Sequence, residues 1–382
     1  MLHTTHIPGR VVAEHGGPGP GGTEQGAVKP HAAAAGEPIT ESLRAPVVMS
    51  LGQIWVDIMM SVDEIPQTGD FVVSRHITQS IGGSYRMLLA ARRMGSPARH
   101  AGIIGQGMMA ASVRSALAVH GIEHIGQDRL DADTGMRLVL TDGERKTFIA
   151  TYGAEAQGGE DLFDAIEPDP GDVVHISGNS LLDHSAVGID AFFERTLANP
   201  QNRPYTVVLN PTNALELVSD QLLENMILSQ PIWSCNRQEA KTLANRLGIP
   251  LEFDRHVTVG GGFDDAMLQL CTALGETVRA PLVLRAGARG AWVREPGGPV
   301  THIDGFPVKP THIRSAGNCH TGVLCAMLAQ GWSLLDAVTI ANAACSLAIE
   351  HHRNGIPECP QRSEVKDFLQ REHDGQGEHD GR

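Results

Sequence analysis

Apolar and polar positions divide the chain into a long patterned middle and two unpatterned ends. Residues 1 to 45 are rich in Gly, Pro, His and Ala (GGPGPGGTEQ, then HAAAAGEP) and sustain no apolar periodicity; EHDGQGEHDGR at the C-terminus is similar. Such segments bury too little apolar surface to offset the entropy of ordering. The pattern predicts a disordered leader over 1–45, a folded domain over 46–369 and a disordered tail over 370–382.

The folded part opens with APVVMSLG, an apolar run without alternation, as a strand buried on both faces of a parallel sheet requires. DFVVSRHITQSI reads as a strand before Gly82-Gly83, and MLLAARRMG as a helix stopped at Gly95. ARHAGIIG is a second buried strand, and MMAASVRSALAVHG a helix. MRLVLTDGERKTFIATYG predicts a hairpin, because Met136, Leu138 and Leu140 alternate with polar positions and Asp142-Gly143 suits a positive-φ turn. Short strands then alternate with helices: VVHISG, AVGIDAFFERTLA, YTVVLNP, SDQLLENMILS, PIWSCN, RQEAKTLANRLG and PLVLRAG. Two apolar helices close the domain, the second opening on a cap-like Ser333-x-x-Asp336. The predicted fold class is α/β, a three-layer α/β/α domain with a mostly parallel central sheet. Segments 54–82 and 134–152 add a small sheet-like insertion.

Composition narrows the function. The 382 residues carry 30 Lys plus Arg against 44 Asp plus Glu, a formal charge of −14, which argues against non-specific binding to nucleic acid or acidic lipid. The chain lacks a run of about 18 apolar residues that could span a membrane, and its opening segment lacks the apolar core of a signal peptide. The six cysteines form no C-x-x-C pair, which predicts reduced thiols and a cytoplasmic location.

Ligands of open α/β sheets bind beyond the carboxyl ends of the strands, so the residues there carry the chemistry. Only Gly52 follows the first strand, too little for a dinucleotide fingerprint, and the P-loop, G-x-S-x-G and H-E-x-x-H patterns do not occur. His351-His352 reads as the cationic end of a helix. Ser315, Ala316 and Gly317 open a helix; they are either a tight turn or a place where an anion meets free amides. Gly287 and Gly290 are either a strand-to-strand turn or a loop on which a nucleotide lies. Asn236 and Glu239 suit a capping box as well as a ligand site.

Taken in order, these features resemble the ribokinase (PfkB) family of carbohydrate and nucleoside kinases, over roughly residues 46 to 365. The resemblance runs through Asp57, Gly82-Gly83, the D-G-E-R turn at Asp142 to Arg145, N-x-x-E at Asn236 and Glu239, G-x-x-G at Gly287 and Gly290, and A-G-x-x-x-x-G at Ala316, Gly317 and Gly322. It implies a ribokinase-like fold with a β-sheet lid from 54–82 and 134–152, which in relatives also clasps a homodimer. It implies ATP and Mg²⁺ as cofactors and a small sugar, polyol or nucleoside as substrate, with no nucleic-acid or membrane partner. By the same resemblance, Ser315, Ala316 and Gly317 form the anion hole, and Gly287 and Gly290 line the nucleotide site. Asn236 and Glu239 hold Mg²⁺ through water. Asp57, Gly82 and Gly83 face the substrate.

The chain departs from the family pattern at the chemistry itself. The position of the catalytic base, an Asp in the family, is Asn318, whose amide accepts no proton near neutral pH. His312 and Ser315 replace an Asp and a Gly of the signature, and Arg314 adds a cation. Met87 stands where the family's substrate-binding Asn would be. His320 lies about 200° round the helix from Asn318 and is a poor substitute base. The resemblance therefore implies a carbohydrate kinase with its base replaced and its activity weakened. The alternative is a catalytically silent nucleotide- or sugar-binding protein that acts through dimerisation or a partner.

Overall fold

A computed structural model describes residues 10–11, 44–250, 261–309, 316–353 and 356–379. The chain begins with β1 (Arg10–Val11), β2 (Val48–Ser50), β3 (Val56–Ser61), β4 (His76–Ile81), α1 (Tyr85–Arg93), β5 (Ala98–His100), α2 (Met108–Val119) and β6 (Ile122–His124). It continues with β7 (Met136–Thr141), β8 (Lys146–Thr151), β9 (Val173–Ser177), α3 (Ala186–Glu194), β10 (Thr206–Asn210), α4 (Asp220–Leu228), β11 (Ile232–Asn236) and α5 (Arg237–Arg246). It ends with α6 (Gly261–Val278), β12 (Leu282–Arg285), β13 (Ala291–Arg294), β14 (Val300–Ile303), α7 (Ala316–Ala329), α8 (Leu334–Glu350), β15 (His352–Arg353), β16 (Ile356–Pro357) and α9 (Arg362–His379).

The main sheet has ten strands in the order β1-β14-β13-β12-β11-β10-β9-β2-β5-β6. From β12 to β6 every pairing is parallel, while β13, β14 and β1 add antiparallel strands at one edge. Successive strand residues point to opposite faces, and the core divides accordingly. Val48, Val173, Val208 and Val283 pack under α1, α7 and α8, whereas Met49, Val174, Leu209, Trp233 and Leu284 pack under α3, α5 and α6. Both faces are covered, which is why the strands read as unbroken apolar runs.

The second sheet, β4-β3-β7-β8, arises from the two expected segments. Its β7–β8 hairpin turns at Asp142-Gly143, with Gly143 at φ 97° and the Asp142 carboxylate accepting from the amides of Glu144 and Arg145. The strand expected from Asp70 begins only at His76; Phe71 and Val73 lie outside the sheet, 89% and 73% exposed.

Three expectations need adjustment. Most of the 1–45 leader lies outside the described residues, but Arg10–Val11 pairs with Thr301–His302 on the open edge of β14. Arg44 anchors the start of the domain on Asp172 and Asp169. At the other end α9 continues through His379, so residues 370–379, expected as tail, are helical. The Glu364 carboxylate accepts from the Gln361 amide at the start of α9, and Val365 and Phe368 dock in the core; propagation from that anchored turn carries the helix past the glycines.

Candidate active site

A pocket of about 180 Å³ opens where the small sheet meets the carboxyl ends of the main-sheet strands. Trp55 and Asp57 come from the loop into β3 and from β3 itself, and Arg137 from β7. Gly83, Ser84 and Arg86 lie at the entry to α1. His175 and Ser177 end β9, while Asn179 and Thr212 follow β9 and β10. Asn318, in the first turn of α7, completes the wall. The pocket thus unites Asp57, Gly83 and Asn318, three of the residues singled out in the sequence.

Asp57 is held by three donors. Arg137 Nε and Nη2 donate to its two oxygens at 2.8 and 3.0 Å, Arg86 Nη2 donates at 3.3 Å and Trp55 Nε1 at 3.0 Å. Arg137 also lies over the Trp55 ring, 5.4 Å from its centroid. Gly82 is required by this packing, since a Cβ there would sit 2.6 Å from Trp55 Nε1 and 2.9 Å from Asp57 Oδ2. Gly83, at φ 66°, turns the chain into α1 with no room for a side chain over the Gln53 carbonyl. Met87 lies elsewhere: it is 1% exposed, packed in the core beneath α7, and lines no part of the pocket.

The remaining wall is polar and neutral. Burial pushes the His175 ring down to about 3, so it is uncharged, with Nδ1 3.0 Å from Ser50 Oγ. The hydroxyls of Ser84 and Thr212 are buried without a hydrogen-bond partner among the described residues, packed against Gly52 and Gly178. Beside the pocket, burial raises the Asp183 carboxyl to about 6, and the Gln53 amide donates to it.

The nucleotide-side candidates gather at the ends of β11 and β12. Asn236 and Glu239 form a reciprocal capping box: Asn236 Oδ1 accepts from the Glu239 amide at 2.9 Å, and Glu239 Oε2 from the Asn236 amide at 2.7 Å. Arg285, ending β12, donates to that same Glu239 oxygen at 3.4 Å. Its Nη1 lies 2.6 Å from where a Gly317 side chain would begin, so the guanidinium packs against the first turn of α7. Arg285 Nε is buried with no partner among the described residues. Helix amides, a cation and an unpaired donor at one point fit a phosphate group. Ser315, with His312 and Arg314, lies outside the described residues; Ala316 and Gly317 open α7 as expected.

No three His, Cys, Asp or Glu side chains among the described residues are grouped to hold a metal ion. Glu239 offers a single carboxylate, which fits a magnesium ion that keeps most of its water. Gly287 and Gly290 take φ 62° and 80° around a one-turn 3-10 helix; a side chain at Gly290 would meet the Ile303 carbonyl at 2.0 Å, while Gly287 faces open space. His320 is no base: it is buried between α7 and α8, its Nε2 3.1 Å from Asn342 Oδ1, and desolvation lowers it to about 3.

Sequence reasoning missed Trp55, Ser84, Arg86, Arg137, His175, Ser177, Asn179 and Thr212. The signal for the last four was their position at or just after the ends of VVHISG and YTVVLNP, where strand ends face the ligand. Arg137 carried no signal, because it sits in a lid strand whose facing partner is fixed only by the β3–β7 pairing.

A doubly covered, largely parallel sheet with a four-stranded sheet closing over its carboxyl edge defines a ribokinase-like α/β fold. The family model for pfkB family carbohydrate kinases matches residues 46–361, and the chain belongs to that family. A relative in Escherichia coli K12, described as the uncharacterized sugar kinase YegV, is 28% identical over 324 residues, covering 83% of this chain and 92% of the relative. The ADP complex of ribokinase from Cryptococcus neoformans var. grubii serotype A superposes with a TM-score of 0.66 at 19% identity, covering 85% of this chain and 99% of that one. The inosine complex of a nucleoside kinase from Burkholderia thailandensis gives 0.62 at 17% identity, covering 84% and 97%.

Proposed function

We propose that the protein transfers the terminal phosphoryl group of Mg²⁺-bound ATP to a hydroxyl of a small sugar or related polyol or nucleoside, at a rate limited by Asn318. The observation that carries this reading is the position of Asn318. Among the described residues it alone both lines the pocket and stands in the first turn of α7, beside the phosphate-compatible cluster of Gly317 and Arg285.

Phosphoryl transfer depends on positioning and charge stabilisation more than on covalent chemistry. When bound, Mg·ATP supplies the phosphoryl group and the metal charge. Ser177 and Asn179 hold and orient the acceptor in this reading. The α7 amides and Arg285 offset the negative charge that develops on the transferred group. Glu239 and Asn236 serve the metal's water shell from a backbone that their own capping box fixes. Asn318 orients the attacking hydroxyl without accepting its proton. The six free cysteines fit a cytoplasmic enzyme. Ile77 and Ile149, 58% and 55% exposed on the lid sheet, are a surface that a lid-to-lid homodimer would cover.

Asn318 favours a second reading, in which the same site binds nucleotide and sugar without turnover and signals through the lid. ADP formation with Mg·ATP, measured across pentoses, hexoses, sugar acids and nucleosides, separates the two. Acceptor-dependent ADP supports the kinase. Ligand-induced thermal stabilisation without ADP supports the silent binder, and no stabilisation by any purine nucleotide with Mg²⁺ defeats both.

A further inference from the structure

Among the described residues lining the pocket, Asp57 is the one carboxylate, faced by two guanidinium groups, Arg86 and Arg137. His175 adds no charge at neutral pH, so the described lining residues carry an excess of one positive charge, with the Asp183 carboxyl beside the pocket rather than in its lining. A pocket for neutral hydroxyls needs acceptors as well as donors, yet both Asp57 oxygens are already taken by Arg137, Arg86 and Trp55. Arg137 is 29% exposed at its side chain; it spends Nε and Nη2 on Asp57, and Nη1 has no hydrogen-bond partner among the described residues. Its plane is fixed by the two-point contact with Asp57 and by the Trp55 ring beneath it. A guanidinium held in this way meets an anionic oxygen pair with little further ordering.

We propose that this pocket selects an anionic sugar, whose carboxylate or phosphate is received on the open edge of Arg137, with Arg86 adding positive charge beside it. The side chains of Ser177, Asn179 and Asn318, which line the same pocket, then serve the sugar hydroxyls. The inference deepens the reading of this pocket as the acceptor site, and rests on that reading for its location.

Binding is measured by calorimetry on the full chain without nucleotide, using gluconate and galactonate, ribose 5-phosphate and fructose 6-phosphate, and the neutral parent sugars. An anionic ligand should bind at least about tenfold more tightly than its neutral parent, the ratio expected of a hydrogen bond to a charged group. The acid and phosphate arms show which anionic group is read. Arg137→Gln should remove that preference, so that acid and neutral ligands bind within about twofold of one another. Asp57→Asn, which keeps the shape and frees both arginines, should raise the preference further, so the proposal does not depend on one variant folding. Equal or tighter binding of the neutral sugars by the wild type overturns it, as does a uniform weakening of acid and neutral ligands by Asp57→Asn. ADP formation is read separately. Tight anion binding without ADP sustains this inference and defeats the kinase reading; turnover of neutral sugars without anion preference does the reverse.

Discussion

The two ends of the candidate active site are built from different materials. At the end proposed for the nucleotide the features are set by short local patterns: a capping box at Asn236 and Glu239, a positive-φ turn at Gly287 and Gly290, and the first turn of α7, with Arg285 beside them. At the acceptor end they are side chains, with Asp57 bound to Arg86, Arg137 and Trp55, and His175 beside Ser50. Backbone features need only a glycine or a short polar residue in the right place, so their pattern survives when much else changes. Side-chain features decide which ligand fits, and each substitution alters the choice. On the proposed reading, the first end is set by short local patterns and the second by side chains brought together from distant parts of the chain.

Asn318 sits at the seam, and replacing it is the largest expected effect. Asn318→Asp supplies a proton acceptor in an isosteric side chain, and its charge lies near the positive end of α7. The rate of ADP formation should rise by about 10²–10⁴-fold, equivalent to about 3–5 kcal/mol of barrier. Equal and readily measured rates for both forms would show that another group accepts the proton. Absence of activity in both would move the fault to the acceptor end and favour the silent binder.

Acid should attack the side-chain end first. His175 is buried in the pocket wall and His100 on β5, and desolvation lowers both to about 3; His320 behaves alike. Each stays neutral in the folded chain and takes up a proton on unfolding once the pH is below about 6.5. Their contribution is fully present above that value and is lost as the pH falls toward 3. Asp183, raised to about 6, works in the opposite direction, because the folded chain holds its proton at a pH where the unfolded chain has released it. Three protons gained against one lost leave about two per molecule near pH 5, a slope of about 2.7 kcal/mol per pH unit. Thermal melts from pH 7 to 4.5 measure it. A flat profile would mean that these histidines are not held neutral.

The same division explains what the sequence could reveal. Buried strands, the hairpin at Asp142-Gly143 and the caps at Ser333 and Asn236 were legible, because each depends on residues close together in the chain. Gly82, Gly83 and Gly290 were legible through resemblance, as backbone positions that tolerate few residues, and Asn318 as a departure from it. Helix α6 escaped notice, although Met267, Leu270, Cys271, Leu274 and Val278 recur at helical spacing and are buried. The Asp57–Arg137 pair spans 80 residues and depends on β3 lying beside β7, a register no local pattern states. Met87 was read as a lost ligand from its place in a motif, yet α1 turns it into the core. A motif fixes position along the chain, and the helix decides direction.

The glycine turn tests the backbone end directly. Alanine at Gly290 meets the Ile303 carbonyl at 2.0 Å and must hold φ 80°, so Gly290→Ala should cost more than about 2 kcal/mol and weaken nucleotide binding. Gly287→Ala meets nothing within 4 Å, and only the positive φ of 62° opposes it, at about 1 kcal/mol. Denaturant melts of the two variants should fall in that order. The reverse order would mean that the turn is held by ligand contacts and not by the packing of Gly290 against the end of β14.

The smallest expected effect concerns Asn236, where capping and metal service make different demands on one side chain. Its Oδ1 accepts from the Glu239 amide, and the Glu239 carboxylate accepts in return from its own amide. Asn236→Ala removes the first of these bonds and should cost about 1 kcal/mol of stability. Asp caps as well as Asn, so Asn236→Asp should change stability by only a few tenths of a kcal/mol. The two variants then separate the roles. If Asn236 only caps, both should keep the Mg²⁺ dependence of nucleotide binding, because Glu239 and Arg285 stay in place. If it also serves the metal's water shell, Asn236→Asp brings a second carboxylate to that shell and should lower the Mg²⁺ concentration needed for half-maximal binding at unchanged stability. Melts give the first quantity and a Mg²⁺ titration at fixed ATP the second. A shift in the Mg²⁺ requirement without a shift in melting assigns Asn236 to the metal as well as to the helix.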